Sequence, residues 1–420
     1  MLGINWMLGV GQLWYNLTMS IFGSLIGRRP LLDMVVDVGS HAIKALLFES
    51  VRETSNVVKK PTKRFSDQSG QSFTPPKIIK KMFFKLPVAA DEDKVINRLR
   101  EFMFTVVKEF ERVPGKILVA VGPNLAEESL RLWTIRPSPP VKNISSRGLN
   151  IYFQSLFEAH RDAAQASLAY PCNLLVNGYT VTPDILAKLS VQEIGFKTLI
   201  LSFKNAAGVS LTEMRQSLGG MPIEFIPLAA ALKEVFISYL GRSDAFLIDV
   251  GGEETSLILI KNSEIMEIAS FAVGAHHFLR GIAKLAGISL EEAEDKKRQY
   301  IQGLVSEKVR SQMQKFLSEE SLLWKKEFLA KLDYFYHLGP LPSEILLFGG
   351  GAHLPEIAAI LRGNDWLGGF SYTASAEVRV VDAASFFQGS SLGGFLQGPE
   401  DVGLASLVTY ANFNAKKLWA

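Results

Sequence analysis

The sequence is poor in cysteine, since Cys172 is the only one among 420 residues. A single thiol excludes an intramolecular disulfide and every metal site built from several cysteines. This usage is typical of a reducing compartment, so we expect a cytoplasmic protein. Histidine is also scarce, with six residues. No carboxylate stands at ligand spacing from His276 and His277, so we expect no catalytic metal site there.

A strong net charge is missing as well. The 45 basic residues nearly balance the 42 acidic ones, which leaves +3, so no global field attracts nucleic acid and no such partner is expected. Hydrophobic residues make up 48 % and charged ones 21 %, a globular mix that argues against wholesale disorder and against a polytopic membrane protein. At about 100–200 residues per domain, this length predicts two to four domains.

The longest stretch without charge is the amino-terminal one, because the first charged residue is Arg28. It lacks the basic region of a secretory signal, and its Asn, Gln and Gly content makes it a poor spanning helix. Its Trp and Tyr residues suit a membrane interface. For residues 1–30 three interpretations stay open: an interfacial or marginally spanning anchor, a flexible start, and a packed first helix.

Positive charge is concentrated between Arg52 and Lys85, where nine basic residues stand against two acidic ones. The centre of this region, residues 61–76, is rich in Pro, Ser and Gly and predicts a loop. A solvated loop and a contact with anionic lipid are both open interpretations. Nucleic acid is disfavoured, because the aromatic residues for base stacking are little more than Phe65 and Phe73.

Predicted strands and helices alternate along the chain. The strands cover Met34–Val38, Ala42–Phe48, Lys116–Val121, Leu174–Val176, Thr198–Phe203, Ala245–Val250, Ser256–Lys261, Ile265–Phe271 and Ser343–Phe348. The helices cover Asp91–Glu109, Ile151–Ala169, Leu228–Leu240, His276–Ala286, Leu290–Ile301 and Pro355–Arg362, with helix-rich sequence up to Tyr336. Apolar spacing supports each element. This alternation predicts an α/β fold with a mixed sheet in each half.

A short motif occurs twice, half a chain apart. Asp37-Val-Gly-Ser40 recurs 212 residues later as Asp249-Val-Gly-Gly252, each time between two predicted strands. A glycine turn lets backbone N–H groups point at phosphate oxygens, and an aspartate at the strand end can hold a hydrated Mg²⁺. The repeat therefore predicts two related domains, each with one phosphate turn.

A third glycine turn follows the last predicted strand. Gly349, Gly350 and Gly351 stand just before the helix that begins at Pro355. Glycines at such a place let a base or a ribose lie against the backbone at a helix start. Each of the three motifs alone is more often a plain turn, but together and in this order they indicate a nucleotide site.

The order of two phosphate turns and an adenosine turn resembles the actin, chaperone and sugar-kinase ATPase superfamily, and within it the FtsA/PilM branch of bacterial actin-like proteins. The resemblance covers roughly residues 34–411. It is carried by the stretch 37–44, by the proline-led helix start at 226–229, and by the AExxK motif with Glu294 and Lys297. It implies an actin-like (ribonuclease H-like, duplicated) two-domain α/β fold with a small α/β subdomain inserted in the first domain.

The resemblance also implies domain boundaries. The expected parts are an amino-terminal segment (1–30), a first actin-like domain (31–123 and 204–240), an inserted subdomain (124–203), a second actin-like domain (241–411) and a tail (412–420). The Asn-Gly-Tyr strand ending at Tyr179 is more similar to FtsA, and Glu253 is more similar to PilM. Both members of the branch therefore stay open.

The resemblance implies ATP and Mg²⁺ as ligands. The residues expected to bind them are Asp37 and Asp249 for hydrated Mg²⁺; Gly39, Ser40, Gly251, Gly252 and Thr255 for the phosphates; Glu294 and Lys297 for ribose and base; and Gly349, Gly350 and Gly351 for the adenosine. No residue is identified as the base that would activate water, so we expect a weak ATPase at most.

Glu254 departs from the family pattern, which has threonine or another small residue at this place. A carboxylate about 4 Å from a phosphate charge costs roughly 4 kcal/mol at an effective dielectric constant near 20. Neighbours on a strand face opposite sides, so Glu254 can instead point away while Thr255 faces the ligand. His41, in the first turn, is expected at the surface.

Four functions stay open. The first is an FtsA-like cell division scaffold of the bacterial cytoskeleton, which binds ATP, self-assembles and tethers a divisome tubulin homologue to the membrane. The second is a PilM-like type IV pilus assembly adapter that binds a peptide of an inner-membrane pilus protein. A small-molecule kinase is third, and is disfavoured because no carboxylate has a recognisable sugar-base context. A nucleotide-free scaffold is fourth.

A membrane surface contact is expected in the scaffold case. The tail carries Lys416, Lys417, Leu418 and Trp419, which have the basic and aromatic character of an interfacial contact. The anchor is therefore expected at the amino terminus or shared between both ends, which would place the protein at the inner face of the cell membrane.

Overall fold

The computed structural model describes most of the chain. The described residues are 32–49, 76–88, 90–110, 114–160, 167–181, 185–186, 189–204, 222–241, 243–387 and 392–413, with the single residues 207, 211, 213 and 216. The predicted amino-terminal segment, nearly all of the predicted basic loop, and the tail from residue 414 lie outside them. No helix within these ranges is long and apolar enough to cross a bilayer.

Strands and helices alternate as the sequence predicts. The strands are β1 (Leu32–Val38), β2 (Ala42–Glu49), β3 (Ile78–Lys85), β4 (Lys116–Val121), β5 (Ala126–Ile135), β6 (Val141–Lys142), β7 (Ser167–Val176), β8 (Tyr179–Val181), β9 (Ser190–Val191), β10 (Ile194–Phe203), β11 (Ile223–Ile226), β12 (Ala245–Val250), β13 (Thr255–Lys261), β14 (Glu264–Phe271), β15 (Glu344–Phe348) and β16 (Glu377–Val380). The helices are α1 (Glu92–Phe110), α2 (Ser146–His160), α3 (Leu228–Leu240), α4 (Ala275–Ala286), α5 (Leu290–Ile301), α6 (Glu307–Tyr336), α7 (Pro355–Arg362), α8 (Asn364–Leu367), α9 (Leu392–Phe395) and α10 (Val402–Phe413).

Two five-stranded mixed sheets have the same construction. The first has the order β3-β2-β1-β4-β11 and the second the order β14-β13-β12-β15-β16. In each, three consecutive antiparallel strands are extended by two parallel ones. The predicted mixed sheet in each half is therefore confirmed, and the repeated sequence motif sits at the same turn of both sheets.

A third, antiparallel sheet lies between β4 and β11 along the chain. Its order is β5-β10-β7-β8, and α2 covers one face of it through a buried cluster that includes Trp133, Phe153 and Phe196. Sheet and helix fall inside the span 124–203. The domain boundaries themselves stay a prediction.

The two large sheets share a buried core. One apolar cluster contains Leu118 of β4, Leu247 of β12, Phe236 of α3 and Leu404 of α10, all 2 % exposed or less. α3 is itself largely apolar, and its buried residues recur at helical spacing. Since α3 and α10 pack on both sheets, the two halves are held close enough for their glycine turns to meet.

The predicted helix Ile151–Ala169 is only partly right. α2 ends at His160, and the chain then forms β7, whose Ala169 pairs with Ile200 of β10. Pairing with two neighbouring strands overrides the local helical spacing here. β3 was not predicted, because its three lysines are typical of a solvated segment, although Ile78 and Met82 are buried.

The triple glycine after β15 offers a matched test of the packing. A Cβ on Gly351 would lie 2.2 Å from Val250 Cγ1 in the buried strand β12, whereas a Cβ on Gly350 would meet nothing within 4 Å. We expect Gly351→Ala to lower the free energy of unfolding by about 1–3 kcal/mol, because overpacking forces the strand to shift. Gly350→Ala should stay within about 0.5 kcal/mol of the parent. Urea denaturation measures the free energy of unfolding of both variants. Equal values would contradict the close packing of Gly351 against Val250.

Candidate functional site

The two repeated glycine turns have the same local geometry. The Gly39 N–H donates to the Ala42 carbonyl at 3.0 Å, and the Gly251 N–H donates to the Glu254 carbonyl at 3.0 Å. In each turn an aspartate lies two residues earlier, in the last part of the strand. The sequence repeat is therefore also a repeat of backbone structure.

The two turns touch each other. The Glu253 N–H donates to Ser40 Oγ at 3.0 Å across the cleft, and Ser40 is 4 % exposed. A Cβ on Gly252 would lie only 2.6 Å from Ser40 Oγ. Any side chain at residue 252 would therefore push the two halves apart.

Asp37 has a basic partner on the neighbouring strand. It is paired with Lys44 in the register of β1 and β2, and Lys44 Nζ lies 3.7 Å from Asp37 Oδ2 while donating to the Glu400 carbonyl. Burial raises the pKa of Asp37, with Asp401 adding to the rise and Lys44 opposing it. Lys44 was missed as a site residue, yet the predicted hairpin already places it opposite Asp37.

Asp249 has no such partner. Among the described residues no hydrogen bond or ion pair reaches its carboxylate, which packs against Gly349, where a Cβ would lie 2.2 Å from Asp249 Oδ1. Gly349 also has a φ of +88°, which favours glycine. Burial, followed by the charge of Asp37, raises the pKa of Asp249 to about 7. A half-buried carboxylate without a partner fits a hydrated Mg²⁺, which would supply the missing positive charge.

Glu254 and Thr255 face opposite sides at the start of β13. We expected Thr255 to face the ligand and Glu254 to point away, but the structure shows the reverse. The Thr255 hydroxyl donates to the Val273 carbonyl at 2.7 Å and accepts the Trp324 Nε1–H at 2.9 Å inside the second half. Thr255 is fully buried and does not face the cleft. Contrary to expectation, Thr255 is therefore a core residue and does not contact phosphate.

Glu254 lies on the other face, towards the cleft. Its Oε1 accepts a long hydrogen bond of 3.4 Å from Ser256 Oγ, and burial raises its pKa. Its charge adds to the rise in the pKa of Asp249. The geometry therefore favours the arrangement in which the Glu254 carboxylate lies near the phosphate site, which is unfavourable for nucleotide binding.

Glu294 and Lys297 also come to this cleft. Glu294 Oε1 lies 3.3 Å from His41 Nε2 of the first turn, and the other oxygen pairs with Lys85 of β3. Burial lowers the pKa of Lys297, and Glu294 opposes that shift. His41 is therefore no solvated surface residue, contrary to expectation, because its ring bridges the two halves.

Glu128 is a further buried acid that the sequence did not indicate. Its carboxylate accepts hydrogen bonds from the first two N–H groups of α3, those of Leu228 and Ala229, at 2.5 and 3.2 Å. Burial raises its pKa to about 7. The Glu128 carboxylate thus accepts from N–H groups that have no partner within the helix. The sequence did not indicate this role, because the position of Glu128 depends on how β5 packs on α3.

Known proteins resemble part or nearly all of this chain. Residues 246–390 match the family model described as cell division protein FtsA, and no curated protein matches the sequence. A PilM-PilN type IV pilus biogenesis complex has a similar fold, with a TM-score of 0.58 and 16 % identity over 92 % of this chain and 99 % of that one. This chain therefore has an actin-like fold, similar to that of PilM.

Two other solved structures resemble this actin-like protein less. Ethanolamine utilization protein EutJ from Carboxydothermus hydrogenoformans gives a TM-score of 0.46 at 12 % identity, over 92 % of each chain. MreB5 of Spiroplasma citri bound to AMPPNP gives 0.46 at 11 % identity, over 93 % of this chain and 98 % of that one.

The role of Thr255 in this actin-like protein can be tested by stability. We expect Thr255→Val to lower the free energy of unfolding by about 1–3 kcal/mol, because it leaves the buried Trp324 N–H without an acceptor. Ser256→Ala is the matched control on the other face, with an expected change below about 0.5 kcal/mol. Chemical denaturation measures the free energy of unfolding of both variants. A Thr255→Val variant as stable as the parent would contradict the hydrogen bond between Thr255 and Trp324.

Proposed function

We propose that this actin-like protein is an ATP-binding scaffold that acts through a protein partner at the cytoplasmic face of a membrane. The observation that carries the proposal is the half-buried carboxylate of Asp249, which pairs with no described side chain and lies near Asp37, where two equivalent glycine turns meet. Such a place concentrates negative charge next to backbone donors, and Mg²⁺ with its phosphates fits it.

Each candidate residue has a distinct task in this proposal. Asp37 and Asp249 hold Mg²⁺ through its water ligands. The backbones of Gly39, Ser40, Gly251 and Gly252 contact the phosphates, Glu294 and Lys297 meet ribose and base, and Gly349, Gly350 and Gly351 line the adenosine.

An FtsA-like role in cell division is the first form of the proposal. The match of residues 246–390 to the FtsA model supports it. In this form ATP holds the two halves closed, copies of the chain self-assemble, and the assembly tethers a divisome tubulin homologue. The amino-terminal segment, the tail or both supply the membrane contact.

A PilM-like role is the second form. The similarity in fold to the PilM-PilN complex supports it, because that similarity extends over 92 % of this chain. In this form the chain is a type IV pilus assembly adapter that binds a short peptide of an inner-membrane pilus protein. Hydrolysis is not needed for either form, and the partner distinguishes them.

Partner binding can be measured directly. Biolayer interferometry with the full chain would compare a purified tubulin homologue of the division machinery with the cytoplasmic peptide of a pilus inner-membrane protein. Saturable binding of the first alone supports the cell division form, and of the second alone the pilus form. Binding of neither would contradict both forms.

Calorimetry with Mg-ATP tests the site itself. We expect micromolar binding to the full chain and a loss of about 100-fold or more in Asp249→Asn, because the cation then lacks its uncompensated carboxylate. Glu254→Thr should tighten binding by up to about tenfold, since a nearby like charge is removed. Asp93→Asn, at an exposed residue of α1, serves as the control with unchanged affinity. Equal affinity of the parent and Asp249→Asn would contradict the assigned site.

A further inference from the structure

Phe83 of β3 is an aromatic residue on the face of the first sheet that meets the second half. In the strand register, Asp37 of β1 pairs with Lys44 of β2, and Lys44 pairs with Phe83. Directly paired residues share one face of a sheet, so Phe83 lies on the same face as Asp37. Its neighbour Phe84 points the other way and packs on Phe102 of α1, with ring centroids 5.1 Å apart.

The side chains on either side of Phe83 along this face both reach the second half. Lys81 Nζ donates to Asp401 Oδ2 at 2.6 Å, immediately before α10, and Lys85 pairs with Glu294 of α5. Alternation along the strand puts Lys81, Phe83 and Lys85 on one face. Phe83 therefore lies between two bridges across the cleft, opposite the gap that separates Glu294 from Asp401.

The far side of this gap carries the residues proposed for the adenosine. The Gly349 N–H donates to the Pro399 carbonyl at 2.9 Å, and His353 Nε2 lies 2.7 Å from Glu400 Oε2. These two contacts attach the triple-glycine turn to the loop before α10. The Glu400 carboxylate raises the pKa of His353 and the charge of Lys297 acts against it, so α5 approaches the same turn.

The ring of Phe83 is available to a ligand in this gap. It is 54 % exposed, although the side chains next to it along the strand are charged and engaged in ion pairs. Covering an exposed apolar ring releases free energy. A nucleotide base is flat and aromatic, and stacking on a phenyl ring is open to it because every base has a π face.

We propose that Phe83 stacks on the base of the bound nucleotide, from the side of the cleft opposite the triple-glycine turn. This inference rests on the proposed ATP site and adds a contact from the first half to a base that the other candidate residues hold from the second half. The base then links the two halves, as the ion pairs of Lys81 and Lys85 do.

Calorimetry with the full chain separates the base from the phosphates. The probes are Mg-ATP and Mg-tripolyphosphate, which has the phosphate chain without ribose or base. We expect Phe83→Ala to weaken Mg-ATP binding by about tenfold, the effect of one lost base stack. The affinity for Mg-tripolyphosphate should stay unchanged.

Two further variants distinguish an aromatic stack from a plain apolar contact. Phe83→Tyr keeps a ring and should bind Mg-ATP as tightly as the parent. Phe83→Leu keeps an apolar side chain without a π face, and it should lose affinity as Phe83→Ala does.

Phe104→Ala is the matched control. Phe104 is a similarly exposed aromatic residue, at 49 %, and it belongs to α1, which packs on the opposite face of the sheet through contacts such as that of Phe84 with Phe102. This variant should keep the affinity of the parent for Mg-ATP.

Three results would overturn the stacking contact. The first is a Phe83→Ala variant with the Mg-ATP affinity of the parent. The second is an equal loss of affinity for Mg-ATP and Mg-tripolyphosphate, since Phe83 would then act on the cleft and not on the base. The third is a Phe83→Leu variant that binds Mg-ATP like the parent. A parent that binds neither probe would instead refute the proposed ATP site, and this contact with it.

Discussion

The whole arrangement depends on the close contact of the two glycine turns, in which the backbone of Gly252 and Glu253 meets the Ser40 hydroxyl. Beyond the contact of Gly252 with Ser40, a Cβ on Gly274 would lie 2.5 Å from the Gly252 carbonyl. That approach lets the first N–H groups of α4, those of Ala275 and His276, donate to the Gly251 and Gly252 carbonyls at 2.9 and 2.7 Å. The second turn is thus tied to a helix start on one side and to the first turn on the other.

Bringing the turns together also brings acids together. Asp37, Asp249, Glu128 and Glu254 all have pKa values raised by burial, and Lys44 is the nearby cation that pairs with one of them. Their charge costs free energy unless a cation or a proton compensates it. The proposed Mg²⁺ is one answer to this problem.

Much of the fold follows from local patterns. The strand Lys116–Val121 and the helix Leu290–Ile301 were predicted at their observed bounds. The strand is a short apolar run, which is typical of a strand that is buried on both faces. The duplicated motif predicted two related domains, and the two large sheets do have the same construction.

The side-chain contacts in the cleft are harder to predict from the sequence. Alternation along β13 shows that Glu254 and Thr255 face opposite sides, but only the packing of α6, which brings Trp324 to Thr255, decides which side is the core. His41 finds its partners on α4 and α5, more than 200 residues later in the chain. Contacts of this kind depend on how the halves dock, so local sequence carries no signal for them.

The central claim, that the half-buried carboxylate of Asp249 has no hydrogen-bond or ion-pair partner among the described residues, is tested most directly by the free energy of unfolding against pH, without metal or nucleotide. An acid with a raised native pKa destabilises the folded state increasingly between its unfolded and folded pKa values, here from about 4 to about 7. Asp249→Asn should therefore gain stability over the parent, by a margin that grows by about 2 kcal/mol from pH 5 to pH 8. Asp295→Asn, at an exposed carboxylate, should show no such growth, and a constant margin for Asp249→Asn would contradict the account.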